Sequence, residues 1–278
     1  MPHSAEISRA NPSAFVFVID QSGSMNDAAS DGSGPKAAGV SKVINKLLQD
    51  LVIKCAKEEG VRDYYYVGVI GYGARTGPAF AGALAGRDLV SISEIANNPA
   101  RVDTVNKKSD DGAGGILEQP VRMPVWFDPV SNNGTPMNQA LGMAANTVDA
   151  FIKAHPGCFP PVVIHITDGE STDGDPSAAM QKITSLSSTD GNVLLFNLHL
   201  SSNPAAKTVS YPTSDANLPD EYAKTLFRGA SALTDFMRTT AGEHGESAGE
   251  GARGFVLNAG LVEVIQALDI GTRPSNLR

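Results

Sequence analysis

Oxygen-bearing side chains follow an apolar run near the beginning of the chain. Residues 15–19 are Phe-Val-Phe-Val-Ile, and Asp20, Ser22 and Ser24 come next at alternate positions. This D-x-S-x-S arrangement supplies one carboxylate and two hydroxyls. Taken alone it has an ordinary explanation, because Asp and Ser after a strand form side-chain turns and cap the following helix. Its chemistry has to be judged together with other segments.

Two further segments carry side chains of the same kind. Thr135 lies in Gly-Thr-Pro-Met, where we expect it to be the N-cap of a helix with Pro136 at its first position. Asp168 lies in Thr-Asp-Gly, directly after the apolar residues 162–166. Each segment alone again fits a cap or a turn.

The five side chains together suit a small hard cation. Magnesium prefers oxygen ligands in near-octahedral geometry and keeps some of its water. If the hydroxyls bind directly and the carboxylates act largely through water, the ion keeps much of its positive field. It can then attract an external carboxylate into an open position. The set therefore predicts a Mg²⁺ site, with Mn²⁺ and Ca²⁺ as alternatives.

The surrounding sequence predicts the scaffold that brings these segments together. Continuous apolar runs are typical of strands covered on both faces, and they occur at residues 15–19, 65–72, 162–167 and 193–200. Apolar residues repeat at helical spacing over residues 40–55, 137–152, 178–186, 222–238 and 261–268. This alternation predicts an α/β fold with a doubly wound, mostly parallel sheet and helices on both faces. The carboxyl ends of such strands are the usual ligand-binding edge.

We expect a single domain over residues 12–272, with flexible tails at 1–11 and 273–278. Residues 74–131 are rich in Gly, Asp, Asn and Pro and are predicted to be an insertion. Within it, residues 89–95 and 116–126 are expected to form short strands or a hairpin, with 107–115 as its tip. A second polar stretch, residues 240–253, is expected to be an exposed loop.

The three polar segments resemble the metal-ion-dependent adhesion site of the von Willebrand factor A (vWA) domain family: Asp20-x-Ser22-x-Ser24, Gly134-Thr135-Pro136 and Thr167-Asp168-Gly169. The resemblance covers roughly residues 14–270 and implies a Rossmann-like vWA fold. It also implies that Ser22, Ser24 and Thr135 bind the metal directly, while Asp20 and Asp168 bind directly or through water. The style of these motifs is similar to that of bacterial cytoplasmic members. The insertion departs from the family, so no partner surface can be carried over there.

The resemblance implies a binding function, and we expect an adaptor or scaffold module that captures a Glu or Asp carboxylate of a protein partner. It further implies a role beside a kinase, phosphatase or ATPase of the same system. The run Val125, Trp126 and Phe127 precedes the Thr135 loop. It is either a buried strand or an aromatic anchor for that partner.

The alternative from another class is a serine-dependent or metal-dependent hydrolase. Residues 245–249 match G-x-S-x-G around Ser247, but their flanks are polar and glycine-rich instead of a strand and a helix. A hydrolytic metal site would also need a base beside an activated water, and Asp168 is the only candidate. We therefore expect the chain not to be an enzyme.

Bulk properties exclude some partners. A net charge of −8 argues against a nucleic-acid backbone. No apolar stretch approaches the length of a membrane span, so we expect a cytoplasmic protein with no membrane contact.

Cys55 and Cys158 are expected to be buried free thiols, a single disulfide being the alternative. His165 and His199 are expected to be core or sheet-face residues and not metal ligands.

Overall fold

The computed structural model describes residues 3–110 and 116–273. Parts of the expected tails and of the expected hairpin tip lie outside these residues. The described helices are α1 (Lys36–Cys55), α2 (Ile92–Asn97), α3 (Met137–Ala154), α4 (Ser177–Ser185), α5 (Glu221–Gly229), α6 (Asp235–Glu243) and α7 (Leu261–Thr272). Two short 3-10 helices span Gly23–Asn26 and Gly82–Leu84.

The strands include the four that the apolar runs predict, together with several short ones. In chain order they are β1 (Ser13–Asp20), β2 (Ala56–Lys57), β3 (Gly60–Val61), β4 (Tyr65–Tyr72), β5 (Thr76–Pro78), β6 (Val90–Ser91), β7 (Arg101–Asp110), β8 (Ile116–Val125), β9 (Val162–Thr167), β10 (Ser187–Ser188), β11 (Gly191–Asn192), β12 (Leu194–Leu200), β13 (Val209–Ser210) and β14 (Phe255–Ala259).

The main sheet has the order β13-β14-β12-β9-β1-β4-β5, with β6 paired to β4. The five inner strands are parallel to one another, and the short edge strands β5, β6 and β13 are antiparallel. From β1 the chain goes first to β4 on one side and later to β9 on the other. The α/β, doubly wound, mostly parallel sheet is therefore confirmed, and the strand order reverses between β1 and β9.

Helices cover both faces of the sheet. In β1, Phe15, Phe17 and Ile19 belong to one core cluster, which also contains buried residues of α1, α6 and α7. Val16 and Val18 belong to the other, with buried residues of α3, α4 and α5. This alternation is the side-chain period of a strand, and burial on both faces explains the uninterrupted apolar sequence.

The insertion agrees with the prediction in part, since residues 116–125 form a strand of a hairpin. The hairpin pairs β7 with β8 and does not use residues 89–95. Those residues form β6 and α2, where the Ser91 hydroxyl accepts from the backbone N–H of Glu94 in a capping box. The predicted short strand is thus present, and the Ser-x-x-Glu pattern of a helix start directly follows it.

Two other expectations also need correction. Residues 3–11 are not a flexible tail: Ile7 is buried, and the Asp190 carboxylate accepts from the N–H groups of Ser4 at 3.0 Å and Ala5 at 2.9 Å. Residues 240–253 are not wholly an exposed loop, because α6 extends to Glu243 and Ala252 is buried.

Two further features concern the cysteines and the character of the helices. Both cysteines are buried free thiols, as expected. Among the described residues, no helix combines the length and apolar character needed to cross a membrane.

Candidate metal centre

The centre lies where the strand order of the sheet reverses. Because β1 and β9 are parallel neighbours with Ile19 opposite Ile166, Asp20 and Thr167 end their strands at the same edge. Asp20 is fully buried. Its Oδ1 accepts from the Ser22 N–H at 2.8 Å, and its Oδ2 accepts from the Thr167 hydroxyl at 2.9 Å. Asp20 therefore holds the loops after the two strands together.

A chain of oxygen atoms crosses from the first loop to the second. The Ser22 and Ser24 hydroxyl oxygens are 3.1 Å apart, and the Ser24 hydroxyl donates to Asp168 Oδ1 at 2.8 Å. Ser22 is buried, whereas Ser24 is exposed. The structure thus brings three of the five predicted side chains into direct contact at a solvent-facing edge.

The loop that carries Thr135 is hydrogen-bonded to both of the others. Toward the first loop, the Gly23 N–H donates to Asn133 O at 2.9 Å. Toward the second, the Thr135 N–H donates to the Thr172 hydroxyl at 3.0 Å, and the Thr172 N–H donates to Thr135 O at 2.9 Å. These bonds fix the backbone of Thr135 beside the Ser22–Asp168 chain.

Thr135 does not cap the following helix, contrary to the prediction. Helix α3 begins one residue later than expected, at Met137. The N–H groups of its second and third residues, Asn138 and Gln139, donate to the two carboxylate oxygens of Asp173 at 2.9 and 2.8 Å. Burial acts to raise the pKa of Asp173, but these bonds outweigh it and the pKa is lowered. Among the described residues, the Thr135 hydroxyl has no hydrogen-bond partner, so it is free for a ligand.

Lys36 is a member of the site that the sequence interpretation missed. Its Nζ lies 2.7 Å from Asp168 Oδ2 and donates to the Ser202 hydroxyl at 2.6 Å. The two charged side chains are 5% and 0% exposed. Within the described parts of the chain, Asp168 Oδ2 accepts no hydrogen bond of good geometry. Its contact with Lys36 is therefore an ion pair without a hydrogen bond.

The position of Lys36 in its helix was an available signal. It is the first residue of α1, a 20-residue helix with no acidic residue in its first turn. A cation at this end is repelled by the helix dipole, and lysine is almost never fully buried unless it is paired. A lysine that breaks both tendencies needs a compensating charge, which Asp168 supplies.

The electrostatics of the cluster fit a bound cation. Burial and the charge of Asp168 raise the pKa of Asp20, although hydrogen bonds from Ser22 and Thr167 act to lower it. Two buried carboxylates thus lie close together, and within residues 3–110 and 116–273 Lys36 is the one cation that forms an ion pair with either of them. Across the described ranges, no three His, Cys, Asp or Glu side chains converge on a metal position. A metal here would depend on the hydroxyls, which is the donor set that the resemblance implies.

The two histidines differ in their distance from the site. His165 is a core residue, as expected, hydrogen-bonded to the Tyr72 hydroxyl at 2.7 Å and to Asn197 Oδ1 at 2.9 Å. His199 is also a residue of the sheet, as expected, and it is paired with Thr167 near the carboxyl ends of β12 and β9, so it borders the site. Burial lowers its pKa, and in the described structure its Nδ1 has no hydrogen-bond partner.

The run at residues 125–127 is buried and cannot serve as an exposed anchor. Trp126 and Phe127 are each 2% exposed, and Val125 is 8% exposed. The Trp126 indole donates to Ile95 O at 2.7 Å, and the Asn45 amide oxygen accepts from the Trp126 N–H at 2.8 Å. Of the two interpretations, the buried strand end is therefore correct.

Ser247 does not lie in a nucleophile elbow. It is exposed in an irregular segment that follows α6, whereas the elbow requires a strand before it and a helix after it. The nearby His244 is hydrogen-bonded to Asp269 at 2.8 Å. In the described residues no hydrogen bond joins His244 to Ser247.

No protein-family model and no curated protein matches the chain. It is similar to the crystal structure of the ArnB paralog VWA2 from Sulfolobus acidocaldarius at 14% identity, covering 72% of this chain and 37% of that chain with a TM-score of 0.36. It is similar to the pilus adhesin SpaC from Lactobacillus rhamnosus GG at 15% identity, covering 81% of this chain and 28% of that chain with a TM-score of 0.41. It is also similar to the vWF domain of the type V pili tip protein Mfa5 from Porphyromonas gingivalis at 16% identity, covering 60% of this chain and 40% of that chain with a TM-score of 0.27. This chain spans less than half the length of each. Similarities this weak carry no argument, and the fold rests on the strand order itself.

Proposed function

We propose that this chain is a divalent-metal-dependent protein-binding module that captures a Glu or Asp side chain of its partner. The observation that carries the proposal is the oxygen chain from Ser22 through Ser24 to Asp168, at the edge where the strand order reverses. The free hydroxyl of Thr135 adds to it. The sequence resemblance to the vWA metal-ion-dependent adhesion site supports the same conclusion.

Each residue has a role in this proposal. Ser22, Ser24 and Thr135 would hold Mg²⁺, Mn²⁺ or Ca²⁺ through their hydroxyls. Asp20, whose two oxygens already accept hydrogen bonds, would set the loop positions and supply negative charge. Asp168 would supply the second charge. The metal, when bound, supplies a positive field for a carboxylate.

The charges of the buried side chains favour a single carboxylate as the external group. Asp20, Asp168 and Lys36 together carry one net negative charge. A divalent cation changes this to one net positive charge, which one Glu or Asp of a partner neutralises. The site without metal repels a carboxylate, so we expect partner binding to require metal.

The surroundings of the site favour a protein over a free small anion. Five acidic residues lie on the neighbouring loops, and all are exposed: Asp27, Asp31, Glu170, Asp173 and Asp175. They repel a free anion at long range. A carboxylate presented by a folded partner can overcome this repulsion, because the other contacts of the interface contribute to binding.

The module would act as an adaptor or scaffold in the cytoplasm of a bacterium, beside a kinase, phosphatase or ATPase. A hydrolase finds no support in the surroundings of Ser247. We propose a binding protein and not an enzyme.

Titration calorimetry with Mg²⁺ and Mn²⁺ tests the metal site. We expect wild-type protein to bind with modest affinity, because neutral hydroxyls offset little of the cost of dehydrating the ion. The Ser24→Ala variant should bind at least about tenfold more weakly, a loss of about 1.4 kcal/mol. Ser33→Ala is the matched control, since Ser33 is an exposed serine of the loop before α1. Equal affinity for wild-type protein and Ser24→Ala would contradict the assignment.

A further inference from the structure

A groove lies beside α1, apart from the metal-ligand cluster. It is bounded by α1, α7 and the β7–β8 hairpin, and its volume is about 720 Å³. None of the five proposed metal ligands lines it. Along α1 it extends from Gly39 to Lys54, which corresponds to about 22 Å of helix. This length suits an elongated ligand better than a compact small molecule.

The walls of the groove expose apolar side chains. Val105 and Val121 face each other across the hairpin, and each is 39% exposed. Ile265 of α7 is 52% exposed. Partly buried Val43 and Leu47 of α1 complete the apolar surface. A continuous apolar surface of this kind marks an interaction site more often than isolated exposed residues do.

The hairpin is only partly supported by its own chain. Its base is fixed to α1 by the hydrogen bonds of Asn45 with Trp126 and Phe127. Farther out, neither Val105 nor Val121 belongs to any buried core cluster of the described residues. A two-stranded hairpin is marginally stable in water unless one face packs against something. The pair Val105 and Val121, in the middle of this hairpin, therefore presents an apolar surface that a partner can cover.

The acidic side chains in the groove are already paired. Asp50 forms an ion pair with Lys46 at 2.5 Å. Asp269 is hydrogen-bonded to His244 at 2.8 Å and also contacts Arg273. These carboxylates therefore contribute little net negative charge to the groove.

Three cations of the groove have no such partner. Lys42, Lys54 and Arg122 are exposed and form no ion pair within the described part of the chain. The whole chain has a net charge of −8, but the groove is locally positive and has apolar walls. Such a surface is complementary to an acidic, apolar ligand.

We propose that the groove binds an amphipathic helix of a partner protein, with an apolar face and acidic flanks. Helices of this kind bind grooves through apolar residues spaced three and four apart. Their Glu or Asp residues would pair with Lys42, Lys54 and Arg122. A second copy of this chain fits less well, because two chains of net charge −8 repel each other. This contact is separate from the metal site and does not require it.

Two designed peptides test the proposal by fluorescence anisotropy. Both are helices of about 18 residues with the same leucine face, and the polar positions carry Glu in one and Lys in the other. We expect wild-type protein to bind the Glu peptide at least about tenfold more tightly than the Lys peptide, at low salt and in chelator. Replacement of Lys42, Lys54 and Arg122 by Glu should invert the preference. Equal binding of the two peptides, or binding of neither, overturns the proposal.

A pair of matched variants tests the location. Ile265→Asp should weaken binding of the Glu peptide at least about tenfold, because it places a carboxylate on the apolar wall. Ile53→Asp should leave binding unchanged, since Ile53 lies on α1 at 61% exposure but outside the groove. Equal affinities for the two variants overturn the proposal. Sedimentation that shows a dimer lost only in Ile265→Asp also overturns it, because the groove would then hold a second copy.

Discussion

The ammonium nitrogen of Lys36 lies 2.7 Å from Oδ2 of Asp168, and both side chains are almost completely buried. A residue at the start of a helix thus neutralises one of two carboxylates in a proposed metal site. The pair has two consequences with opposite signs. Lys36 repels a metal ion, but it makes the metal-loaded site more attractive to a carboxylate.

Replacement of Lys36 by Met should therefore strengthen metal binding, by about tenfold or more, because a positive charge close to the ion is removed. Without metal, the variant should be less stable by roughly 3 kcal/mol, since Asp168 is left buried and unpaired. Calorimetry and thermal denaturation measure the two effects. Lys42→Met, at an exposed lysine of the same helix, is the control. Unchanged metal affinity in Lys36→Met would show that the ammonium does not act on the site.

Gly73 tests the contact between the loops. A Cβ atom at this position would lie 2.5 Å from Gln21 O and 2.8 Å from Asn132 O, so the backbone would have to move. We expect Gly73→Ala to cost roughly 1–3 kcal/mol of stability and to weaken metal binding. Gly77→Ala is the control, because its Cβ would meet nothing within 4 Å. Equal metal affinities for the two variants would show that the packing of these loops has no effect on metal binding.

The cap on α3 gives a third prediction. Asp173→Ala leaves two N–H groups in the first turn of α3 without their acceptor and should cost about 1 kcal/mol in the free energy of unfolding. The Thr135 loop is attached to the same segment through Thr172, so metal affinity should also fall. Denaturant titration and calorimetry measure these effects. Glu170→Ala, an exposed acid of the same loop, should change stability by less than half as much. A smaller loss in Asp173→Ala than in Glu170→Ala would argue against the cap.

The pH dependence of stability should report on His165. Its Nδ1 donates to Asn197 Oδ1, because the Asn197 amide nitrogen already donates to Leu226 O. Burial lowers the pKa of this histidine to about 4, and the unfolded chain has a pKa near 6.5. The unfolded state thus takes up the proton first as pH falls. The contribution of His165 to stability is present above about pH 6.5 and lost down to about pH 4, a total of roughly 3 kcal/mol.

The measurement is the free energy of unfolding of wild type and His165→Gln across this pH range. The variant lacks the titrating group, so the difference between the two proteins should shrink as the pH falls. A constant difference would mean that the histidine has the same pKa in both states.

The sequence predicted the parts of the fold that repeat a simple pattern. β1, β4, β9 and β12 were identifiable because each is buried on both faces and so remains apolar throughout. Residues 89–95 contain the short strand that was expected, but also the beginning of α2, whose local signal is the capping box of Ser91 and Glu94. The helical pattern at residues 222–238 is continuous in the sequence, but the structure divides it between α5 and α6.

The residue types of the candidate site were predictable, but the ion pair and the helix cap that join its loops were not. Motif spacing identified Asp20, Ser22 and Ser24, since all lie on one loop. Lys36 was missed because the helical pattern in the sequence begins only at residue 40, and tertiary structure alone reveals that Lys36 is buried beside Asp168. Asp173 was missed as a cap because it lies far in sequence from the helix that it caps.

Water-proton relaxation with Mn²⁺ tests the central claim most directly, because a carboxylate that binds the metal displaces its water. We predict that acetate, at a concentration high enough to overcome the repulsion by the acidic loops, lowers the relaxation enhancement of Mn²⁺ bound to wild-type protein, whereas acetamide at the same concentration does not. Thr135→Ala should bind Mn²⁺ more weakly and respond less to acetate, while the Ser33→Ala control should behave like wild-type protein. The account would be contradicted if Mn²⁺ gave no enhancement with wild-type protein, or if acetate and acetamide had the same effect.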